Sequence, residues 1–317
     1  MLGIYVAGVQ GGGRKLNKKL IALLIIIFVL GVNLGITLVK QRRQLKGVSG
    51  GRNIRDYLGV FLPQEKHEEV KSRILKIEEG TLVSLNNRDG EIKVVGGEEG
   101  SLKLKTTKIV YARSKSQAKE YAQRIEVRVA KGDKALKIKT TGPGPKPSYV
   151  QWSVHYELSL PPRSPIKITN TNGGLSLSSL NTKADMKTTN GSITLDDVKG
   201  GIKGQTTNGS LKLSKIGGKI NLGTTNGRIE MEAGIIKEGE YELSTTNGSI
   251  TLSILPESSV CIKVGTTNGK VSSNLELKDR KESRRFELLT GLEGKLGDGK
   301  AKLELNTTNG GVEMRWR

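Results

Sequence analysis

Cysteine is almost missing: Cys261 is the only one in 317 residues. No disulfide can form within the chain, so nothing in the fold depends on covalent cross-links. Histidine is equally scarce. His67 and His155 lie far apart with no cysteine beside either, which leaves no zinc-ligand spacing and no expected metal site. Aromatic residues make up 4% of the chain, while glycine reaches 41 residues. That combination does not fill an ordinary globular core; it suits many short strands and tight turns. Acidic charge is also short, at 31 Asp+Glu against 52 Lys+Arg. The excess is uneven. Residues 1–60 hold 10 basic and 1 acidic side chains, whereas residues 166–317 hold 22 and 17. A nucleic-acid reader needs its basic charge on the folded binding face, so no nucleic-acid partner is expected. The glycine-rich QGGGRK of residues 10–15 precedes no strand–helix unit, and no cofactor is expected there or elsewhere.

One long apolar run is present. Residues 20–39 read LIALLIIIFVLGVNLGITLV, without a charge and with a single polar interruption at Asn33. As a helix this segment spans about 30 Å, the thickness of a hydrocarbon core. It exceeds the apolar core of a cleaved signal peptide, and Lys40-Gln41-Arg42-Arg43 stands where cleavage needs small residues. An uncleaved, single-pass membrane anchor is the expectation. Arg14, Lys15, Lys18 and Lys19 precede the span, while Lys40, Arg42, Arg43, Lys46 and Arg52 follow it. Local charge therefore leans weakly toward a cytoplasmic C-terminal side, although long domains translocate largely regardless of such counts.

The chain divides into a basic segment 1–19, a transmembrane helix 20–39, a linker with a short helix 40–72, an N-terminal β part 73–165 and a repeat domain 166–317. The short helix is expected over Pro63 to Lys76, with Glu65, Glu68 and Glu69 in its first turns. Within 73–165, Ile125, Val127 and Val129 alternate with charges, as do Leu136 and Ile138. Val150, Trp152, Val154, Tyr156, Leu158 and Leu160 form the longest alternation. Between these strands, residues 115–124 (KSQAKEYAQR) read as helix.

From residue 166 a repeat takes over. Its centre is Asn-Gly, at Asn172-Gly173, Asn190-Gly191, Asn208-Gly209, Asn226-Gly227, Asn247-Gly248, Asn268-Gly269 and Asn309-Gly310. Successive asparagines are 18, 18, 18, 21, 21 and 41 residues apart. The last interval reads as two periods, one coil lacking the motif and carrying the charged insertion 278–285. Relative to each Asn, the columns at −6, −4, +3 and +5 are almost wholly apolar. In one repeat they hold Ile202, Gly204, Leu211 and Leu213; in another, Tyr241, Leu243, Ile250 and Leu252. Residues between these columns are mostly Ser, Thr, Lys and Glu. Each repeat is thus two short strands with apolar sides inward, joined at the Asn-Gly corner. A degenerate copy lies earlier, where Asp89-Gly90 replaces Asn-Gly and Val83, Leu85, Ile92 and Val94 fill the same columns.

An Asn-Gly between strands usually marks a hairpin. Return of the same corner every 18–21 residues instead signals coils stacked in register. Asn and Gly tolerate positive φ, which is the expected reason for their place at the corner. Stacking sets Asn over Asn and Thr over Thr, where their side chains can bond along the ladder. The few inward residues of one coil do not offset the ordering of 18 residues, so stability must come from neighbouring coils. The expected fold is an all-β, parallel β-helix-like solenoid of about eight or more such coils, preceded by one transmembrane helix. Trp316 shares strand parity with Val312 and Met314 and is expected to cover the open end of the last coil.

The segments KTTNGSITL, GQTTNGSLKL, GTTNGRIEM, STTNGSITL, GTTNGKV and NTTNGGVEM resemble the repeated T-x-N-G-x-[IV] strands of the bacterial "putative adhesin" family, a domain of unknown function. The strand YVQWSVHYELSLPP resembles that family's lead-in. The resemblance covers residues 73–317 and implies a β-solenoid at the cell envelope, with residues 44–317 outside the cytoplasm. It carries over no catalytic or ligand-binding residue.

Three functions follow as expectations. The leading one is a non-catalytic envelope protein presenting a repetitive surface to acidic envelope polymers or to another envelope protein. Another is a cytoplasmic coil that polymerises end to end. The third is a polysaccharide-active enzyme, which would need clustered carboxylates on one face. The repeat region offers Asp185, Asp196, Asp197, Asp279 and Asp298 besides scattered glutamates, and Asp196-Asp197 read as a turn.

Overall fold

The computed structural model describes residues 64–144 and 147–317. The basic segment 1–19, the span 20–39 and the linker up to residue 63 lie outside the described residues. Among the described residues, no helix is long and apolar enough to cross a membrane.

The chain runs through β1 (Glu65–Lys76), β2 (Leu82–Asn86), β3 (Ile92–Gly96), β4 (Ser101–Ala112), α1 (Lys115–Gln123), β5 (Glu126–Lys131), β6 (Ala135–Thr141) and β7 (Gln151–Leu160). The repeats follow as β8 (Ile166–Thr169), β9 (Leu175–Asn181), β10 (Ala184–Lys187), β11 (Ile193–Asn208), β12 (Leu211–Ser214), β13 (Gly217–Asn226), β14 (Ile229–Glu232), β15 (Glu240–Asn247), β16 (Ile250–Ile254), β17 (Val260–Thr266), β18 (Val271–Ser273), β19 (Lys278–Arg285), β20 (Leu288–Leu296), β21 (Ala301–Asn309) and β22 (Val312–Trp316).

The fold is all-β and solenoid-like. Each coil gives one strand to each of two parallel ladders. The first ladder runs β6, β2, β8, β10, the C-terminal half of β11, β13, β15, β21, β17. The second runs β7, β3, β9, the N-terminal half of β11, β12, β14, β16, β22, β18. Registers keep equivalent columns opposite one another: Ile202 pairs with Ile220, Leu222 with Leu243, Leu213 with Met231. Every residue of the −6, −4, +3 and +5 columns is buried, except half-buried Ser273. A further inward column, Leu180, Val198 and Ile216, closes the core at the second corner.

Spatial order departs from chain order at both ends. The β6–β7 coil stacks outside the earlier β2–β3 coil. The last coil, β21–β22, lies between β15–β16 and β17–β18 rather than at the end. Residues 278–296 are not a motif-free coil. They form a hairpin whose second strand, β20, pairs antiparallel with the outer edge of β17, with β19 paired on β20. Because β20 fills that outer edge, the returning chain can pair only with the inner edge of β17. Trp316 therefore sits on an interior strand, opposite Ile254, and caps no end.

Antiparallel strands close the other end too. β5 covers β6, while β4 covers β7 and is covered in turn by β1. The short helix expected over 63–76 is replaced by β1, a twelve-residue strand paired along the whole of β4. Glu and Lys favour helix only weakly, and the unpaired edge of β4 supplies a full ladder of backbone partners. The segment 115–124 does form a helix. Ser114 caps α1 by accepting from the Gln117 amide, and Ala118 and Ala122 are buried.

Candidate functional site

The surface feature that repeats is the Thr-Thr-Asn-Gly corner, and each of its four residues has its own role. The first threonine points inward. The hydroxyls of Thr206, Thr224, Thr245, Thr307 and Thr266 donate to the glycine carbonyl of the adjacent coil at 2.8–2.9 Å. Thr188 reaches Gly173 at 3.3 Å, and Asn170 replaces threonine one coil earlier, donating to the Gly90 carbonyl at 2.9 Å. These bonds satisfy polar groups that burial would otherwise leave costly. The second threonine points outward. Thr171, Thr207, Thr225, Thr246, Thr308 and Thr267 are exposed, and Thr189 is half-buried.

The asparagines form a side-chain ladder. Asn190 donates its amide to Asn172, Asn208 to Asn190, Asn226 to Asn208, Asn247 to Asn226, Asn309 to Asn247 and Asn268 to Asn309, at 2.7–2.9 Å. Asn172 donates to the Asp89 carboxylate, which also accepts from Arg88. A carboxylate can only accept, so Asp89 forces Asn172 to turn its NH2 toward it and its oxygen away. Every later amide must then adopt the same sense. The amide dipoles align and polarise one another along the ladder. Asp89 is thus the terminator of the row, not a decayed asparagine.

The glycines are required for a different reason from the expected one. In this column only Gly90 and Gly173 have positive φ, at 130° and 129°. At Gly209 and Gly227 a Cβ would overlap the carbonyl oxygen of Gly191 and of Gly209, respectively. Close approach of adjacent coils, not backbone handedness, excludes side chains there. Positive φ appears at the second corner instead, at Ser179, Asp197 and Lys215 and at Gly200 and Gly218.

Beside the ridge lies a cleft of about 740 Å³ between the outer face of the first ladder and the hairpin. Thr246, Thr308 and Thr267 line one side, and Lys281, Ser283 and Thr290 the other. Lys263 and Glu293 pair across part of its floor at 3.7 Å. A second cleft, of about 310 Å³, lies among β1, β4, α1 and β5 and is lined by Lys71, Arg73, Lys108, Glu126 and Arg128. Lys108 is buried there, donating to the Ala122 carbonyl and to Glu69. The Lys71 side chain beside Glu69 holds its carboxyl below the usual range despite burial.

The aspartates do not converge. Asp185 sits outward on β10, Asp197 in the second corner, and Asp298 in the turn after β20. Asp279 is bonded to Lys295, which lowers its pKa. Among the described residues, no group of three His, Cys, Asp or Glu side chains is placed to hold a metal. Cys261 is half-buried on β17, opposite Lys295 and Lys302.

The family model described as Toastrack DUF4097 matches residues 31–315. No curated protein matches the chain. Solved structures similar to it include a putative cell adhesion protein from Clostridium sporogenes, 18% identical, covering 78% of this chain and 100% of its own, with a TM-score of 0.31. A putative adhesin from Bacteroides fragilis is 12% identical, covers 78% of this chain and 97% of its own, and gives 0.34. A putative lipid binding protein from Parabacteroides distasonis is 9% identical, covers 77% and 96%, and gives 0.31.

Proposed function

The chain belongs to the Toastrack DUF4097 family, and from that premise we propose that it is a non-catalytic, membrane-anchored envelope protein. Its long Thr–Asn ridge holds an acidic envelope polymer or an extended partner protein. The observation that carries this reading is the ridge itself. Seven outward threonines and seven asparagines recur at the coil spacing, about 4.8 Å between adjacent strands. Each ladder amide uses one N–H within the row and keeps a second, and each outward threonine keeps a hydroxyl. Such a surface supplies many equivalent weak contacts along a repetitive ligand. Lys263, Lys281 and the basic cleft near β1 add positive charge, which suits acidic polymers.

Residues 20–39 are the proposed anchor, in a cell membrane, with the solenoid outside the cytoplasm. Protease added to intact protoplasts tests this side; a fully protected solenoid places it inside. End-to-end polymerisation is a poorer fit, because antiparallel strands cover the end rungs β6, β7 and β17.

The described residues from Gln64 onward fall within one compact unit, suited to a binding test. Sedimented with isolated cell walls over a salt series, this unit is expected to bind at low salt and to release steeply as salt rises. No binding at low salt would reject the polymer reading and leave a protein partner.

A further inference from the structure

The hairpin β19–β20 turns on residue types that its geometry does not favour. Arg285 pairs with Leu288, so the loop has two residues, Phe286 and Glu287. Both have positive φ, 49° and 67°, as a type I′ turn requires. Asn-Gly is the preferred pair for that turn. Here the sequence places a bulky aromatic in the left-handed region, where such a residue is an outlier. The phenylalanine is not buried in exchange: it is 87% exposed, and Leu288 beside it is 52% exposed. Strain kept at an exposed apolar tip marks a functional position.

The surroundings of the tip are basic. β19 is exposed along its whole length and carries Lys278, Arg280, Lys281, Arg284 and Arg285. Glu282 binds Arg280 and Arg284 at 2.8 and 2.6 Å, and Asp279 binds Lys295 at 2.8 Å. Arg285 stacks over the Phe286 ring at 5.7 Å. The tip is convex, with two apolar side chains projecting beside cations. A protein partner of ordinary interface size buries about 800 Å² on each side, far more than two side chains offer. A lipid headgroup layer closes around a convex tip without a preformed pocket and supplies phosphates to the flanking cations.

We propose that this hairpin docks on an anionic lipid bilayer, Phe286 and Leu288 entering the headgroup–acyl boundary while Arg284 and Arg285 pair with lipid phosphates. That a bilayer is at hand rests on the reading of residues 20–39 as an anchor. The test uses the full chain with Cys261→Ser and Phe286→Cys, labelled at the new thiol with an environment-sensitive dye. It is reconstituted into vesicles of phosphatidylcholine alone or with a minority of phosphatidylglycerol. With phosphatidylglycerol, the dye emission is expected to shift to the blue and to be quenched by brominated acyl chains. Arg284→Glu with Arg285→Glu is expected to return it to the water-exposed value. Emission that stays water-like in the anionic vesicles overturns the proposal, as does a shift that survives the double charge reversal. Flotation of the same samples reports separately on the anchor: chains that fail to float defeat the anchor reading, whereas floating chains with a water-exposed dye defeat only the hairpin. Phe286 and the two arginines lie at the exposed tip and Cys261 is half-buried on β17, so a wild-type melting curve is required of each variant to confirm that it remains folded.

Discussion

Asn172 donates its amide to the carboxylate of Asp89, 83 residues earlier in the chain, and this contact sets the sense of every amide above it in the ladder. Replacing Asp89 with alanine removes a charge-assisted acceptor and is expected to lower stability by about 1.5–3 kcal/mol. Asp89→Asn keeps a side-chain acceptor facing Asn172 and is expected to cost less than half as much. Denaturant melts of the two variants check this. Equal losses would show that the whole contribution lies in the charge and that a neutral acceptor in its place adds nothing.

The two threonines of one corner are expected to respond differently. Thr206→Val removes a buried hydroxyl donating to Gly191 and leaves that carbonyl short of a partner, at about 1–3 kcal/mol. Thr207→Val alters an exposed position and is expected to stay within about 0.5 kcal/mol. In wall-binding assays the order reverses: Thr207→Val, with Thr225→Val, weakens binding if the ridge is the ligand surface.

Glycine substitutions separate close approach from backbone handedness. Gly209→Ala and Gly227→Ala each drive a methyl into a neighbouring carbonyl and are expected to destabilise by more than about 3 kcal/mol. Gly234 has open space around it and an ordinary φ, and Gly234→Ala is expected to be neutral or slightly stabilising. Chemical denaturation measures all three.

Deleting residues 301–317 tests the interleaved last coil. β15 and β17 lie on opposite sides of β21, so both are expected to lose amide protection in hydrogen exchange. Loss confined to β17 and β18 would mean that the coils stack in chain order.

Tyr156 gives a pH signature. Burial pushes its phenol up to about 12, against a smaller lowering by the bond to Thr140. An unfolded tyrosine ionises near pH 10. Between these values the unfolded chain releases a proton that the folded chain retains. Stability is therefore unaffected below pH 10 and falls by about 2–3 kcal/mol as pH rises toward 12. Tyr156→Phe is expected to remove that part of the fall, read as the difference between wild-type and variant melts across this range.

The sequence by itself determined the coil. Column spacing of 18–21 residues, alternation on either side of Asn-Gly and the burial of those columns follow from one rule: side chains two residues apart on a strand share a face. The column Leu180, Val198, Ile216 carries the same 18-residue spacing and was legible in principle. Tertiary structure alone decided the order of the coils. Any Asn-Gly coil fits against any other, because corner, columns and period are alike, so periodicity cannot say that Asn309 stands between Asn247 and Asn268. That choice was made by β20, which occupies the outer edge of β17 and leaves only the inner one. The same holds for Glu65–Lys76, a helix by local composition and a strand because β4 had an edge to fill. The reason for glycine at the corner likewise lies between coils, in a neighbouring carbonyl that no single repeat contains.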